Sequence, residues 1–150
     1  MIQITGLFIY PIKSCRGISL NETELGSRGF LHDREFLVVD DADTFLTQRN
    51  APELATVRIA IEDDAMTMQA TDTETLRLSL RASDGSNGIR KVTVFDDQVL
   101  ADDVGEEAAA WFSRVLRRPC RLVRTGAAYS RVVPAEKIAP ALRDGSKAHV

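Results

Sequence analysis

Residues 8–17 read Phe-Ile-Tyr-Pro-Ile-Lys-Ser-Cys-Arg-Gly, which joins an apolar segment to a basic turn. An apolar segment of β-strand character, residues 2–10, is stopped by Pro11, because proline has no N–H to donate to a strand ladder. Gly17, which tolerates backbone angles closed to other residues, then turns the chain into a second apolar segment. The polar residues between these segments are therefore expected where regular strand pairing is interrupted, at one end of a sheet.

Lys13, Ser14 and Arg16 form a small basic group on this turn. Two cations and a hydroxyl held on a rigid turn suit a phosphate or another anion. Lysine acts on such a ligand as a point charge, and serine adds a short hydrogen bond. Basic clusters of this size are also common on solvated turns, so these residues alone leave both interpretations open.

A second basic group comes before the next strand. Residues 31–40 read Leu-His-Asp-Arg-Glu-Phe-Leu-Val-Val-Asp, which places Arg34 at the entrance of a β-rich run over residues 35–39. Its guanidinium fork matches the geometry of a phosphate and predicts a bidentate clamp on an anion. The alternative is a salt bridge to Asp33 or Glu35, a commonplace arrangement at protein surfaces.

Two further polar residues lie close to these groups in sequence. Arg49 follows the residues Phe-Leu-Thr-Gln at positions 45–48, and it is either a further site residue or a solvated loop arginine. His32 has no second histidine near it in sequence to form a metal-binding pair, which favours a structural role for its imidazole.

The composition is that of an ordinary globular protein. A chain of 150 residues fits one domain, and its 44% hydrophobic and 27% charged residues are unlike those of a disordered chain. The net charge of -3 gives no general case for nucleic-acid binding, so any basic site is local. No apolar run reaches the roughly 20 residues that span a bilayer, and the start lacks a signal-peptide pattern. We expect a cytoplasmic protein with neither nucleic-acid nor membrane partners.

The two cysteines, Cys15 and Cys120, are far apart and have no neighbouring Cys or His at metal-binding spacing. This argues against a zinc site and against a disulfide scaffold. Both are expected to be reduced, partly buried thiols.

The rest of the chain predicts short strands separated by turn residues at regular intervals. At least eight such strands suggest a closed or nearly closed barrel. Met66 and Met68, in one of these strands, are expected to fill the core. The predicted strands are residues 2–10, 18–25, 35–39, 45–47, 56–62, 66–70, 76–80, 89–95, 99–100 and 120–124.

One amphipathic helix is also predicted. Asp103 stands three residues before Glu106, which resembles a capping box, and Pro119 ends the element. The predicted fold is therefore mainly β, a small β-barrel of short strands with one amphipathic helix packed against it. The stripe expected to face the barrel consists of Ala108, Trp111, Phe112, Val115 and Leu116.

These motifs resemble the N-terminal β-barrel domain of the MOSC-domain family, which includes the mitochondrial amidoxime-reducing component and bacterial relatives. Residues 10–17 are similar to the signature that opens this domain. Residues 31–40 resemble its Asp-Arg-aromatic-apolar segment, and residues 45–49 the segment that follows. The similarity continues more loosely to Trp111 and residues 119–123, so it covers nearly the whole chain.

The resemblance implies a barrel domain over residues 1–124, with residues 125–150 as a linker or the start of a missing catalytic MOSC domain. In the relatives, both domains together hold a molybdenum cofactor, whose molybdopterin carries a phosphate. The residues that match the cofactor contacts of the family are Lys13, Ser14 and Arg34. Arg16 and Arg49 are secondary candidates.

The resemblance also implies that a full-length protein reduces N-oxygenated compounds, with the C-terminal MOSC domain and a redox partner protein as partners. The cysteine that ligates molybdenum in the relatives lies in that following domain, and neither Cys15 nor Cys120 matches it. The chain alone is therefore expected to be inactive. Two other functions stay open, namely a stand-alone module that binds another phosphate-bearing small molecule and a protein-interaction barrel.

Overall fold

The computed structural model describes residues 1–81, 85–126 and 129. These residues form short strands, one 3₁₀ helix at Pro52–Thr56 and one α-helix, α1, at Glu106–Leu116. The predicted linker of residues 125–150 lies almost entirely outside the described residues. The strands are β1 (Leu7–Ile9), β2 (Ile18–Leu20), β3 (Leu25–Gly26), β4 (Gly29–Phe30), β5 (Phe36–Asp40), β6 (Arg58–Glu62), β7 (Ala65–Gln69), β8 (Leu76–Ser79), β9 (Ile89–Val94), β10 (Asp97–Asp103) and β11 (Cys120–Arg124).

A four-stranded antiparallel sheet has the order β5-β11-β10-β9, and its strand β5 is buried on both faces. Side chains along a strand point alternately to opposite faces, so Phe36 and Val38 enter one core cluster while Leu37 and Val39 enter another. This explains why β5 is a continuous apolar run rather than an alternating one. The strand predicted at residues 35–39 is confirmed within one residue.

The first core cluster also contains the apolar side of α1. Phe112 is fully buried, and Trp111 is buried with its Nε1–H donating to the carbonyl oxygen of Glu74 at 2.7 Å. Met66 and Met68 of β7 are fully buried in the same cluster, which confirms the prediction that they fill the core.

The remaining strands form three smaller sheets, with the orders β1-β2, β3-β4 and β6-β7-β8. The mainly β fold with one helix is confirmed. Strand pairing within the described residues does not join the four sheets into a closed barrel, so the barrel stays a prediction.

Several strands are shorter in the structure than the sequence predicts. The first strand covers only Leu7–Ile9, because residues 2–6 have little to pack against, and Ile2 and Ile4 are 100% and 81% exposed. The second strand ends at Leu20 rather than at residue 25. The strand predicted from residue 56 begins at Arg58, since the 3₁₀ helix occupies the preceding residues.

The predicted capping box of the helix is wrong. The residue before α1 is Gly105, which makes no side-chain cap, while Asp103 belongs to β10 and is buried. Its carboxylate accepts the Gly105 N–H at 2.8 Å and is ion-paired with Arg90 and Arg121. The carboxylate predicted to cap the helix instead forms ion pairs with arginines of two other strands, β9 and β11.

No helix in the described part of the chain combines the length and apolar character needed to cross a membrane.

Candidate functional site

Backbone hydrogen bonds tie the two predicted basic turns together. The Lys13 N–H donates to the Phe36 carbonyl at 2.8 Å, and the Phe36 N–H returns a bond to the Pro11 carbonyl at 2.9 Å. The Arg34 N–H donates to the Tyr10 carbonyl at 2.8 Å. Residues 10–13 therefore run directly beside the entrance of β5, and Lys13 and Arg34 come from neighbouring segments.

Ser14 and Arg34 both have left-handed backbones, with φ of 70° and 51°. Residues other than glycine adopt this conformation in only a few per cent of cases, and Asn and Asp do so most readily. Each such residue costs on the order of 1 kcal/mol or more, so its surroundings must hold it in place. Here the holding contacts are the bonds between the turns and a hydrogen bond from Gln48 Nε2 to the Ser14 carbonyl at 2.8 Å.

The Lys13 side chain is positioned by two aromatic rings. Its Nζ lies 5.3 Å from the centroid of the Phe45 ring and 5.2 Å from that of the Phe95 ring. The two rings are themselves in contact, with centroids 4.7 Å apart. Ring faces attract ammonium groups within about 6 Å, so the cation is held at a defined place beside the turn.

Arg34 adopts the arrangement that the sequence left as an alternative, an ion pair with Asp33. Its guanidinium carbon also lies 5.2 Å from the centroid of the Tyr10 ring. The second carboxylate oxygen of Asp33 accepts the Tyr10 N–H at 2.8 Å, which fastens the carboxylate to the first turn. The Arg34 side chain remains 60% exposed. Because the guanidinium is largely exposed, it is accessible to an added anion.

Gly17 contributes space rather than an unusual backbone angle. A Cβ at this position would lie 2.7 Å from Cε1 of the Tyr10 ring, and the φ of Gly17 is outside the left-handed region. The absent side chain thus lets the ring occupy the position on which the Arg34 guanidinium stacks.

Arg49 and Arg16 lie differently from Lys13, Ser14 and Arg34. Arg49 is exposed next to Gln48, and its side chain forms no ion pair with the described residues. Arg16 is exposed and lines a cavity of about 410 Å³ together with Arg58 and Gln69, residues that belong to β6 and β7. Within the described part of the chain, the structure brings Lys13, Ser14 and Arg34 onto adjoining turns and directs Arg16 towards another surface.

His32 and Glu35 form an ordered pair beside these turns. The His32 Nδ1 lies 2.8 Å from the Glu35 carboxylate, and the other carboxylate oxygen accepts from Arg124 Nε at 2.7 Å. These contacts agree with a structural role for His32.

The chain after β11 is fixed next to the same pair. The Thr125 N–H donates to the Glu35 carbonyl at 2.8 Å, and the Arg28 guanidinium donates to the carbonyl oxygens of Thr125 and Gly126 at 3.1 Å each. The described chain thus leaves the sheet close to the Arg34 turn.

Both cysteines are free, as predicted, and they are buried more completely than expected. Cys15 is 2% exposed, and burial raises the pKa of its thiol to about 12. Burial also raises the pKa of the Cys120 thiol, against the smaller opposing effects of Ser113 and Arg118. Protonated, enclosed thiols are poor metal ligands. The described residues contain no group of three or more His, Cys, Asp or Glu that could hold a metal ion.

Sequence reasoning missed the residues that position the site. The sequence indicates Asp33 only as a salt-bridge partner of Arg34. It gives no signal for the supporting contacts of Tyr10, Phe45, Phe95 and Gln48. Phe95 lies some eighty residues from Lys13 in sequence, and local spacing carries no signal for such a contact.

The two linked turns bring an ammonium, a hydroxyl and an exposed guanidinium together on a domain of mainly β structure, and these are groups that suit an anion. Residues 1–119 match the family model described as the MOSC N-terminal beta barrel domain. The chain belongs to this family.

Curated relatives carry the same region within much longer proteins. The molybdenum cofactor sulfurase of Danio rerio is 34% identical over 125 residues, covering 81% of this chain and 15% of the relative. The mitochondrial amidoxime-reducing component 1 of Mus musculus is 37% identical over 125 residues, covering 80% of this chain and 36% of the relative. The chain thus spans less than a fifth of the length of the sulfurase and little more than a third of that of the amidoxime-reducing component.

A solved structure has a similar fold. The solution structure of a Bordetella bronchiseptica protein superposes with a TM-score of 0.54 and 26% identity, covering 67% of this chain and 83% of that protein.

Proposed function

We propose that this chain is the N-terminal half of a site that binds the phosphate of a molybdenum cofactor, within an oxidoreductase that reduces N-oxygenated compounds. The observation that carries the proposal is the backbone link between the two turns. It brings Lys13, Ser14 and Arg34 onto adjoining segments of the chain. A family relationship to proteins named for the molybdenum cofactor and for amidoxime reduction supports it.

The chemistry of these residues suits the phosphate of the cofactor. An ammonium and a guanidinium supply charge-assisted hydrogen bonds, and a hydroxyl supplies a neutral one. The guanidinium of Arg34 has five N–H donors, of which the ion pair with Asp33 engages only part. The cofactor, when bound, would supply the redox-active metal. The part of this chain is to hold the phosphate and fix the orientation of the group.

The proposal assigns the metal ligand and the reaction to a C-terminal MOSC domain of the same protein. Cys15 and Cys120 are enclosed thiols and do not suit direct metal ligation. Electrons would come from a redox partner protein. The 150-residue chain by itself is expected to be inactive.

The experiment uses the longest natural product that contains this segment, expressed in a host that makes the cofactor. Molybdenum content and pterin fluorescence are measured for the natural protein, for the double variant Lys13→Gln/Arg34→Gln and for the control Arg77→Gln. Arg77 is an exposed arginine on β8, in a different sheet. We expect the double variant to lose cofactor by about tenfold or more, because each lost charged hydrogen bond costs roughly 1.5 kcal/mol. The control should keep its full content.

Three outcomes contradict the proposal. Equal loss in the Arg77 control would reduce the effect to nonspecific charge. Unchanged cofactor in the folded double variant would remove Lys13 and Arg34 from the site. A folded long form with neither molybdenum nor pterin would favour a module that binds another phosphate-bearing molecule.

A further inference from the structure

A separate cavity of about 480 Å³ lies beside the β1-β2 hairpin. Its walls do not include Lys13, Ser14 or Arg34 in the part of the chain that the structure describes. Its volume is within the range of about 300 to 1,000 Å³ that is typical of small-molecule sites. Its walls include Ile9, Ile18, Leu20, Glu22, Glu24 and Ile61.

The floor of this cavity is apolar. Ile9 and Ile18 are directly opposite one another across the hairpin and so point to the same face, and Leu20 follows on that face two residues later. Ile61 of β6 closes the cavity from another sheet. Branched aliphatic side chains from two sheets thus form a surface that favours a compact apolar group.

The rim carries negative charge. Glu22 and Glu24 line the cavity on the segment after β2, and neither carboxylate forms an ion pair with a described residue. Glu35, by contrast, is ion-paired with both His32 and Arg124. The two rim carboxylates are therefore available to a ligand in a way that the paired carboxylate is not.

We infer that this cavity binds a small organic cation, an aliphatic or aromatic body that carries a protonated amine. The apolar floor takes the body, and the carboxylates of Glu22 and Glu24 take the ammonium. A carboxylate-bearing ligand is disfavoured by like charge at the rim, and a neutral ligand of the same shape gains only the apolar contacts. This inference is independent of the proposed cofactor role, since it uses none of the same side chains.

The test is a titration of the 150-residue chain, followed by amide NMR shifts, with three probes of closely similar size. These are phenethylammonium, the neutral 2-phenylethanol and the anionic 3-phenylpropionate. We expect phenethylammonium to bind about fivefold more tightly than the alcohol, as two exposed ion pairs allow. The anion should bind most weakly, and added salt should weaken the ammonium alone. The shifted amides should include those of Ile9, Ile18 and Ile61.

Matched variants separate the rim from the floor. Glu22→Gln/Glu24→Gln should bring phenethylammonium to the affinity of the alcohol, while Glu62→Gln should change nothing. Glu62 is exposed, follows Ile61 on β6 and points to the opposite face. Ile18→Trp fills the floor and should weaken both the ammonium and the alcohol.

The inference fails if the ammonium and the alcohol bind equally, or if Glu62→Gln weakens the ammonium as much as the double rim variant. It also fails if Ile18→Trp, with its fold intact by circular dichroism, binds both probes as before.

Discussion

Cys15 lies within the basic turn that carries Lys13, Ser14 and Arg16, but its side chain points into the core. Its neighbours Ser14 and Arg16 are partly or fully exposed, while its own thiol lies in the core cluster with Phe36. An apolar environment disfavours the thiolate, and this raises its pKa from an ordinary 9.0 to about 12. The residue acts as a small core side chain rather than as a reactive group.

We therefore predict that Cys15 is inert to thiol reagents at pH 8 while the protein is folded. A disulfide reagent that reports free thiols should react with Cys15 only after denaturant is added. Cys120→Ser isolates the Cys15 signal. Because the folded pKa exceeds the unfolded one, stability is retained below pH 9 and falls as the pH rises from 9 towards 12. Rapid labelling of the native protein at pH 8 would show the thiol to be accessible.

At the level of single residues, the sequence indicates chemistry but not conformation. The residue types Lys13, Ser14 and Arg34 predict an anion site, and the structure brings them onto adjoining turns. The left-handed backbones at Ser14 and Arg34 could not be predicted, because neither is a residue type that favours that region. Gly17 is important for a different reason than expected, since the Tyr10 ring occupies the space a Cβ would fill.

The start of α1 depends on a glycine. Gly105 has φ of 114° and ψ of 177°, a combination that is essentially restricted to glycine. A Cβ at this position would also lie 3.1 Å from the Asn87 side-chain nitrogen, which itself donates to the Val104 carbonyl at 3.0 Å. The chain therefore changes direction between β10 and the helix without a side-chain cap.

We predict that Gly105→Ala destabilises the protein by roughly 1 to 3 kcal/mol, the usual cost of such backbone strain. Urea unfolding followed by circular dichroism measures the loss. The matched control is Gly26→Ala, whose Cβ would meet only an ordinary contact at 3.6 Å to a backbone oxygen. Equal stability of the two variants would mean that the helix start is not constrained as described.

Elements with a strong local apolar signal are predictable, and those fixed by distant partners are not. Strand β5 is predicted from a continuous run of apolar residues and helix α1 from apolar residues at helical spacing, and these residues are buried in the core. The first strand is predicted too long, since apolar composition alone does not show that residues 2–6 are without a covering layer. The capping-box prediction fails because Asp103 is attracted by arginines on two other strands.

Asp103 joins several elements into one ion-pair network. Its side chain is only 4% exposed and accepts bonds from Arg90 of β9 at 2.6 Å and Arg121 of β11 at 2.7 Å. Arg90 extends the network to Asp43, and Arg121 extends it to Glu106 at the start of α1. Burial would raise the pKa of Asp103, but the hydrogen bonds from Arg121, Arg90 and the Gly105 N–H outweigh it and lower the pKa.

We predict that Asp103→Asn lowers the free energy of unfolding by roughly 2 to 4 kcal/mol, because it leaves two partly buried arginines without their shared partner. A depressed folded pKa means that the stabilisation is complete above the ordinary value of 3.8 and is lost as the pH falls below it. Urea unfolding between neutral and acidic pH should show this loss in the natural chain but not in the variant.

The control is Asp41→Asn, a change at an exposed aspartate, and it should keep the natural pH dependence of stability. An Asp103→Asn variant with unchanged stability and acid sensitivity would contradict the network's role.

The anchoring of Thr125 and Gly126 has a consequence for assembly. The Arg28 guanidinium and the Glu35 carbonyl bind these residues, and Glu35 directly follows Arg34 in the chain. Anything carried further along the same polypeptide is tethered at that point. A following domain would meet the turn at an effective concentration on the order of millimolar, so weak contacts would suffice to keep it docked. Supplied as a separate polypeptide at micromolar concentration, the same domain would dock only a small fraction of the time.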